Sequence, residues 1–147
     1  IAAGGIGTGC QMAAAIALGA DAVQIGSRFV ASEESSAHEL FKQTIIKTQE
    51  GETQLTLKEL TPVRLIKNKF FNDVEQAYQK CCNKDELEKL LGRGRAKKGM
   101  FEGDLEEGEL EIGQVCGLID KILPAKEIVT EIIDEYNQTI KKLHALL

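Results

Sequence analysis

The sequence predicts an α/β fold: a strand–helix–strand unit over residues 1–31, followed by a chain that is mainly helical. Three observations carry this. Short apolar, β-forming runs at 1–3 and 22–25 flank one stretch of helical periodicity. Each run stops at a glycine turn, Gly4-Gly5 and then Gly26-Ser27. Beyond Ser35, apolar residues recur at steps of three and four.

The elements follow in order. Ile1, Ala2 and Ala3 form a strand that ends at Gly4. Thr8 is placed to cap a helix over 10–18, in which Met12, Ala13, Ile16 and Ala17 recur at helical spacing. Gly19 stands where a helix leaves through the left-handed region, which a residue without Cβ adopts cheaply. Ala22-Val23-Gln24-Ile25 is the second strand. A helix between two strands requires a crossover, so the strands should run parallel. An amphipathic helix is expected over 36–50, with Leu40, Phe41, Ile45 and Ile46 inward. Gln54-Leu55-Thr56-Leu57 alternates as an edge strand does, and Pro62 breaks the chain before "VRLIKNKF", whose Arg64, Lys67 and Lys69 read as a solvated face, the alternative being a rim near an anionic substrate. Two helices are expected over 72–82 and 85–91. The basic "GRGRAKKG" and the acidic "EGDLEEGELE" are short enough to pair with each other. A short helix over 113–120 follows. Pro124 opens the last helix at its first turn, where Ile128, Ile132, Tyr136, Ile140 and Leu143 form a stripe that must pack on something, a second copy included.

Composition narrows the function. Hydrophobic residues at 43% and charged residues at 28% describe a chain able to build a core. A net charge of −5 argues against nucleic acid as partner. No apolar run approaches the ~18 residues of a membrane span, and no basic n-region of a signal peptide is present. Cys10, Cys81, Cys82 and Cys116 lack metal-ligand spacing, so no metal site is expected and reduced thiols in a cytoplasm are the simplest reading.

The two glycine turns are the candidate site. In α/β folds ligands bind at the carboxyl ends of the strands. Backbone N–H groups at Gly4, Gly5, Gly26 and Ser27 can approach an anion with no side chain in the way, and a helix dipole adds to the attraction. Single glycines usually just close tight turns, but turns at two adjacent strand ends favour phosphate. The Rossmann fingerprint is not met: its third glycine would fall at Cys10 or Met12. No P-loop lysine follows either.

"AAGGI", "LGADAVQIGSRFVASEES", "TPVRLIKNKF" and "FEGDLEEGELEIGQVCGLI" together resemble the end of an FMN-dependent TIM barrel of the nitronate monooxygenase (2-nitropropane dioxygenase) family. Its relative, the flavin-type enoyl-acyl-carrier-protein reductase, is also similar, and inosine monophosphate dehydrogenases share the first motif alone. The resemblance implies that Gly4 and Gly5, after the seventh strand, and Gln24, Ile25, Gly26 and Ser27, at the eighth, bind the FMN phosphate. Ser27 stands where the family usually has threonine. Arg28 is left outside this set, since pairing with Glu33 or Glu34 accounts for it equally well. The implied activity is oxidation of alkyl nitronates by oxygen, the alternative being NAD(P)H-dependent reduction of an enoyl thioester. A phosphate-binding segment without catalysis is a third possibility. The family's catalytic histidine has no counterpart here, and His38 and His144 read as surface residues. A whole barrel takes ~250 residues, so the chain is expected to be the C-terminal part of a longer protein. On this reading 1–50 is the last βαβ portion of the barrel, 51–123 a mainly helical subdomain and 124–147 a helix packed on either. By itself the chain is expected to bind FMN weakly and to catalyse nothing.

Overall fold

A computed structural model describes residues 1–146. β1 (Ala2–Ala3) and β2 (Val23–Gln24) pair in parallel, Ala2 opposite Val23 and Ala3 opposite Gln24. α1 (Gly9–Ala17) makes the crossover. It starts where predicted, because the Thr8 hydroxyl accepts a hydrogen bond from the Gln11 N–H at 3.2 Å. Gly19, at φ +103°, turns the chain out of it. Directly after the second glycine turn comes an element the sequence did not announce, the single-turn helix α2 (Ser27–Val30).

The next helix is shorter than expected. α3 spans Glu39–Ile45. The Ser35 hydroxyl holds a turn by accepting from the Ala37 N–H, and His38 Nδ1 caps α3 by accepting from the Leu40 N–H. Phe41 and Ile45, four apart, define the buried stripe, which leaves Leu40 on its flank and 51% exposed, contrary to expectation. β3 (Thr53–Thr56) pairs antiparallel with β4 (Val63–Ile66). The strand in "VRLIKNKF" was not predicted. Residues 109–112 line its other edge, with Ile66 N–H donating to the Leu110 carbonyl and Ile112 N–H to that of Arg64.

α4 (Lys69–Gln79) begins earlier than predicted, because the Asn68 side chain accepts from the Phe71 N–H while its amide donates to the Leu105 and Gly108 carbonyls. α5 (Lys84–Leu91) opens with a reciprocal capping box between Asn83 and Glu86. α6 (Arg95–Met100) follows. The basic and acidic segments do pair: Arg95 with Glu107, Lys97 with Glu102, Lys98 with Asp104. In place of the helix predicted over 113–120 there is a short 3₁₀ segment, Gln114–Leu118. α7 (Ala125–His144) starts one residue after Pro124, and Glu34 caps it by accepting from the Ala125 N–H at 2.8 Å.

Two apolar clusters share one strand. Phe41, Ile45, Ile66, Leu110, Ile112 and Cys116 form the first; Leu57, Leu65, Phe70, Phe71 and Val74 form the second. Ile66 and Leu65 are neighbours on β4 and point to opposite faces, so β4 is the wall between them. The α7 stripe is only half covered. Ile128 and Ile132 are buried, and the helix crosses α1 so closely that a Cβ on Gly9 would lie 2.2 Å from the Ile132 carbonyl oxygen. Ile140 and Leu143, farther along, are exposed. Among the described residues no helix is long and apolar enough to cross a membrane.

Candidate functional site

The parallel register of β1 and β2 sends both glycine turns out from the same edge. Gly4 and Gly5 hold φ of +87° and +70°, which L side chains rarely adopt, and a Cβ built on either meets nothing within 4 Å. Their backbone therefore faces open space. Gly26 begins α2 with ordinary negative φ, and the space beside it is equally open. Gln24 is exposed in β2, while Ile25 and Ser27 are half-buried. The Ser27 hydroxyl is already engaged: its Oγ accepts from the Gly113 N–H at 3.0 Å.

The N-terminus of α1 departs from the sequence reading. Its positive end is neutralised within the chain, since Gly9 N–H donates to Glu135 Oε2 at 2.7 Å and Gly7 N–H to Gln11 Oε1 at 2.8 Å. An incoming anion would meet the turns and not this helix end. Arg28 is a second correction. It pairs with neither Glu33 nor Glu34; Nη1 donates to the Lys121 carbonyl and Nη2 lies 3.9 Å from Glu131. Burial pulls its pKa below the ordinary arginine value, with Glu131 and Asp120 opposing. Arg28 thus ties α2 to α7 and the segment before it. His38 has a local task too, as the cap of α3 with its ring against Gly103. His144 is exposed in the last turn of α7.

Beside the first turn lies a cavity of about 620 Å³, within the usual range for small-molecule sites. Gly5, Gln11, Glu50 and Arg64 line it together with the 113–118 segment, through Gly113, Gln114, Val115, Gly117 and Leu118. Of the residues expected at the site, only Gly5 reaches it. Of the two readings of Arg64, the solvated face does not hold: it is half-buried on β4 at the cavity, and Nη1 donates to the carbonyl and hydroxyl of Thr53. Lys67 and Lys69 are exposed, as expected. The signal for the 113–118 segment was faint, a paired glycine spacing in "GQVCG". Val115 packs on the turn itself, with Cγ2 2.8 Å from where a Gly7 Cβ would be. Below it, burial raises the Cys116 thiol pKa and leaves it an inert core group. Among the described residues no group of three His, Cys, Asp or Glu could hold a metal ion.

An α/β chain with two open glycine turns at parallel strand ends and an adjoining cavity shares the framework on which parallel-strand folds place small-molecule sites. Comparison with known proteins makes this specific. The nitronate monooxygenase family model matches residues 1–135, and the chain belongs to that family. A probable nitronate monooxygenase of Staphylococcus aureus is 34% identical over 142 residues, 96% of this chain and 39% of the relative. The chain thus spans about two-fifths of the length of the curated relatives it matches. Among solved structures, FabK from Thermotoga maritima is 40% identical with a TM-score of 0.91, over 99% of this chain and 46% of that one. Nitroalkane oxidase from Streptomyces ansochromogenes is 32% identical with a TM-score of 0.71, over 96% and 40%.

Proposed function

We propose that this chain contributes the phosphate-binding turns and one cavity wall of an FMN-dependent TIM-barrel oxidoreductase that oxidises alkyl nitronates with oxygen. The observation that carries the reading is the family match running through both glycine turns and the cavity wall. The residues suit a flavin mononucleotide. Gly4, Gly5 and Gly26 leave open space where side chains would stand, and a phosphate needs that space to approach backbone N–H groups. Gln24, Ile25 and Ser27 complete the second turn. When bound, the flavin supplies the redox chemistry. The chain's own part is to hold the phosphate, to shield the cavity through 113–118, and to offer the Arg64 guanidinium to an anionic substrate. The four unpaired cysteines suit a reducing cytoplasm.

A second reading, reduction of an enoyl thioester with NAD(P)H, is favoured by the greater likeness to FabK than to the nitroalkane oxidase. Two measurements on the full-length protein decide. Mass analysis of the released flavin should give FMN, and FAD would contradict the single phosphate site. Nitronate-dependent oxygen uptake is the expected activity. NAD(P)H consumption with a crotonyl thioester, without nitronate turnover, would establish the second reading instead.

A further inference from the structure

We infer that Gln11 binds an oxyanion in the cavity beside Gly5, its side-chain amide donating next to the Arg64 guanidinium. The inference deepens the proposed function and rests on it, since the anion is either the flavin phosphate or the nitronate group.

Gln11 sits in the first turn of α1 and lines the cavity. The Gly7 N–H, 2.8 Å from Oε1, fixes which way the amide is turned. A backbone N–H can only donate, so the atom facing it is the oxygen, and Nε2 keeps two protons to give elsewhere. Among the described residues no hydrogen bond uses them. Gln11 thus takes up one backbone donor at the turn and returns two on a longer arm. Arg64 lines the same cavity from β4, half-buried. Both of its hydrogen bonds, to the Thr53 carbonyl and hydroxyl, come from Nη1. They hold the guanidinium in place and leave Nη2 and Nε to donate. Gly5 completes the set, with φ +70° and open space where a side chain would stand. Glu50 is the one carboxylate among the described residues of the lining, and it is exposed, where water and salt screen it. A neutral pair of donors beside a fixed cation suits a group whose oxygens share negative charge, as those of phosphate and nitronate do.

The test uses the full-length protein with Gln11→Glu and Gln11→Met. Gln11→Glu keeps an oxygen for the Gly7 N–H, so the turn stays tied, but it replaces the donors with a negative charge. Gln11→Met loses the tie and the donors and adds no charge. Flavin-stripped protein is titrated with FMN and with riboflavin, which lacks the phosphate. Flavin-loaded protein is assayed for the KM of ethylnitronate and titrated with nitrate, a planar anion that is not turned over. Gln11→Glu should weaken binding of one anion roughly ten- to a hundredfold, the worth of a hydrogen bond to a charged group. Gln11→Met should weaken the same anion less, and the urea midpoint of Gln11→Glu should match that of the wild type. Weaker FMN binding with riboflavin unchanged assigns the anion to the flavin phosphate. A raised nitronate KM and weaker nitrate binding, with FMN unchanged, assign it to the substrate. FMN, KM and nitrate all within about twofold of the wild type would overturn the inference. Equal losses for FMN and riboflavin would overturn it too, since the cavity itself would then be distorted. If the wild type turns over no nitronate, the proposed activity fails, while the flavin and nitrate titrations still decide the role of Gln11.

Discussion

Gly26 differs from the glycines of the first turn in a way that makes it useful. Gly4 and Gly5 need positive φ, so any substitution there strains the backbone as well as filling space. Gly26 has φ −106° and nothing within 4 Å of a built Cβ. Gly26→Val should therefore fold normally and still obstruct a ligand. We expect flavin affinity to fall roughly tenfold or more, a change of about 1.4 kcal/mol, with the unfolding midpoint nearly unchanged. Unaltered flavin affinity would remove Gly26 from the site. Both glycine turns were legible because glycine at a strand end is a local signal. Gly113 was not, and Arg64 could not be told from Lys67 and Lys69, because a place beside Gly5 arises from tertiary packing.

Glu109 provides a second test, in pH. It is 6% exposed, and burial, with the nearby Glu111 carboxylate adding and Arg95 opposing, pushes its pKa up to about 7 from 4.5. Protons are thus bound more tightly in the folded state. The associated stability is fully present below pH 4.5 and is lost as pH rises through about 7. Burial raises the Glu111 pKa in the same direction. Glu109→Gln removes the Glu109 shift and should gain on the wild type as pH rises, by on the order of 1–3 kcal/mol at pH 8. Urea midpoints at pH 5 and pH 8 measure this. A gap independent of pH would show that Glu109 stays ionised at no cost.

At the scale of elements, helix ends explain most differences between sequence and structure. Thr8 and Gly19 were readable because each is a common residue for its position. Asn68 was not read as a cap, since its amide also serves Leu105 and Gly108 far along the chain. The end of α4 was hidden for another reason. Cys81 N–H donates to the Tyr78 carbonyl and Cys82 N–H to that of Ala77, the pattern of a Schellman motif. The left-handed residue in it, at φ +55°, is an exposed cysteine where glycine is usual. Cys81→Gly should stabilise the protein by about 1 kcal/mol, the strain of a Cβ in this region. A raised urea midpoint with unchanged slope would show it. A lowered one would mean that the thiol contributes a contact worth more than the strain.

At the scale of the whole molecule, β4 decides how the parts hold together. It escaped the sequence reading because both its faces are covered. Leu65 enters one cluster and Ile66 the other, so "VRLI" shows no clean alternation of apolar and polar residues. β4 is also paired on both edges, by β3 and by residues 109–112. Losing its position would open both clusters together. Ile66→Ala should then cost about 2–5 kcal/mol, the usual range for emptying a buried site. The loss should be felt equally on both sides of the strand. In native-state hydrogen exchange, protection should fall by similar factors in α3, which packs in the cluster of Ile66, and in α4, which packs in that of Leu65. The far end of α7, where Ile140 and Leu143 are exposed, should open by local fraying and respond least. Retained protection in α4 alongside its loss in α3 would mean that the clusters open separately, and β4 would then be a boundary between two units instead of the wall they share.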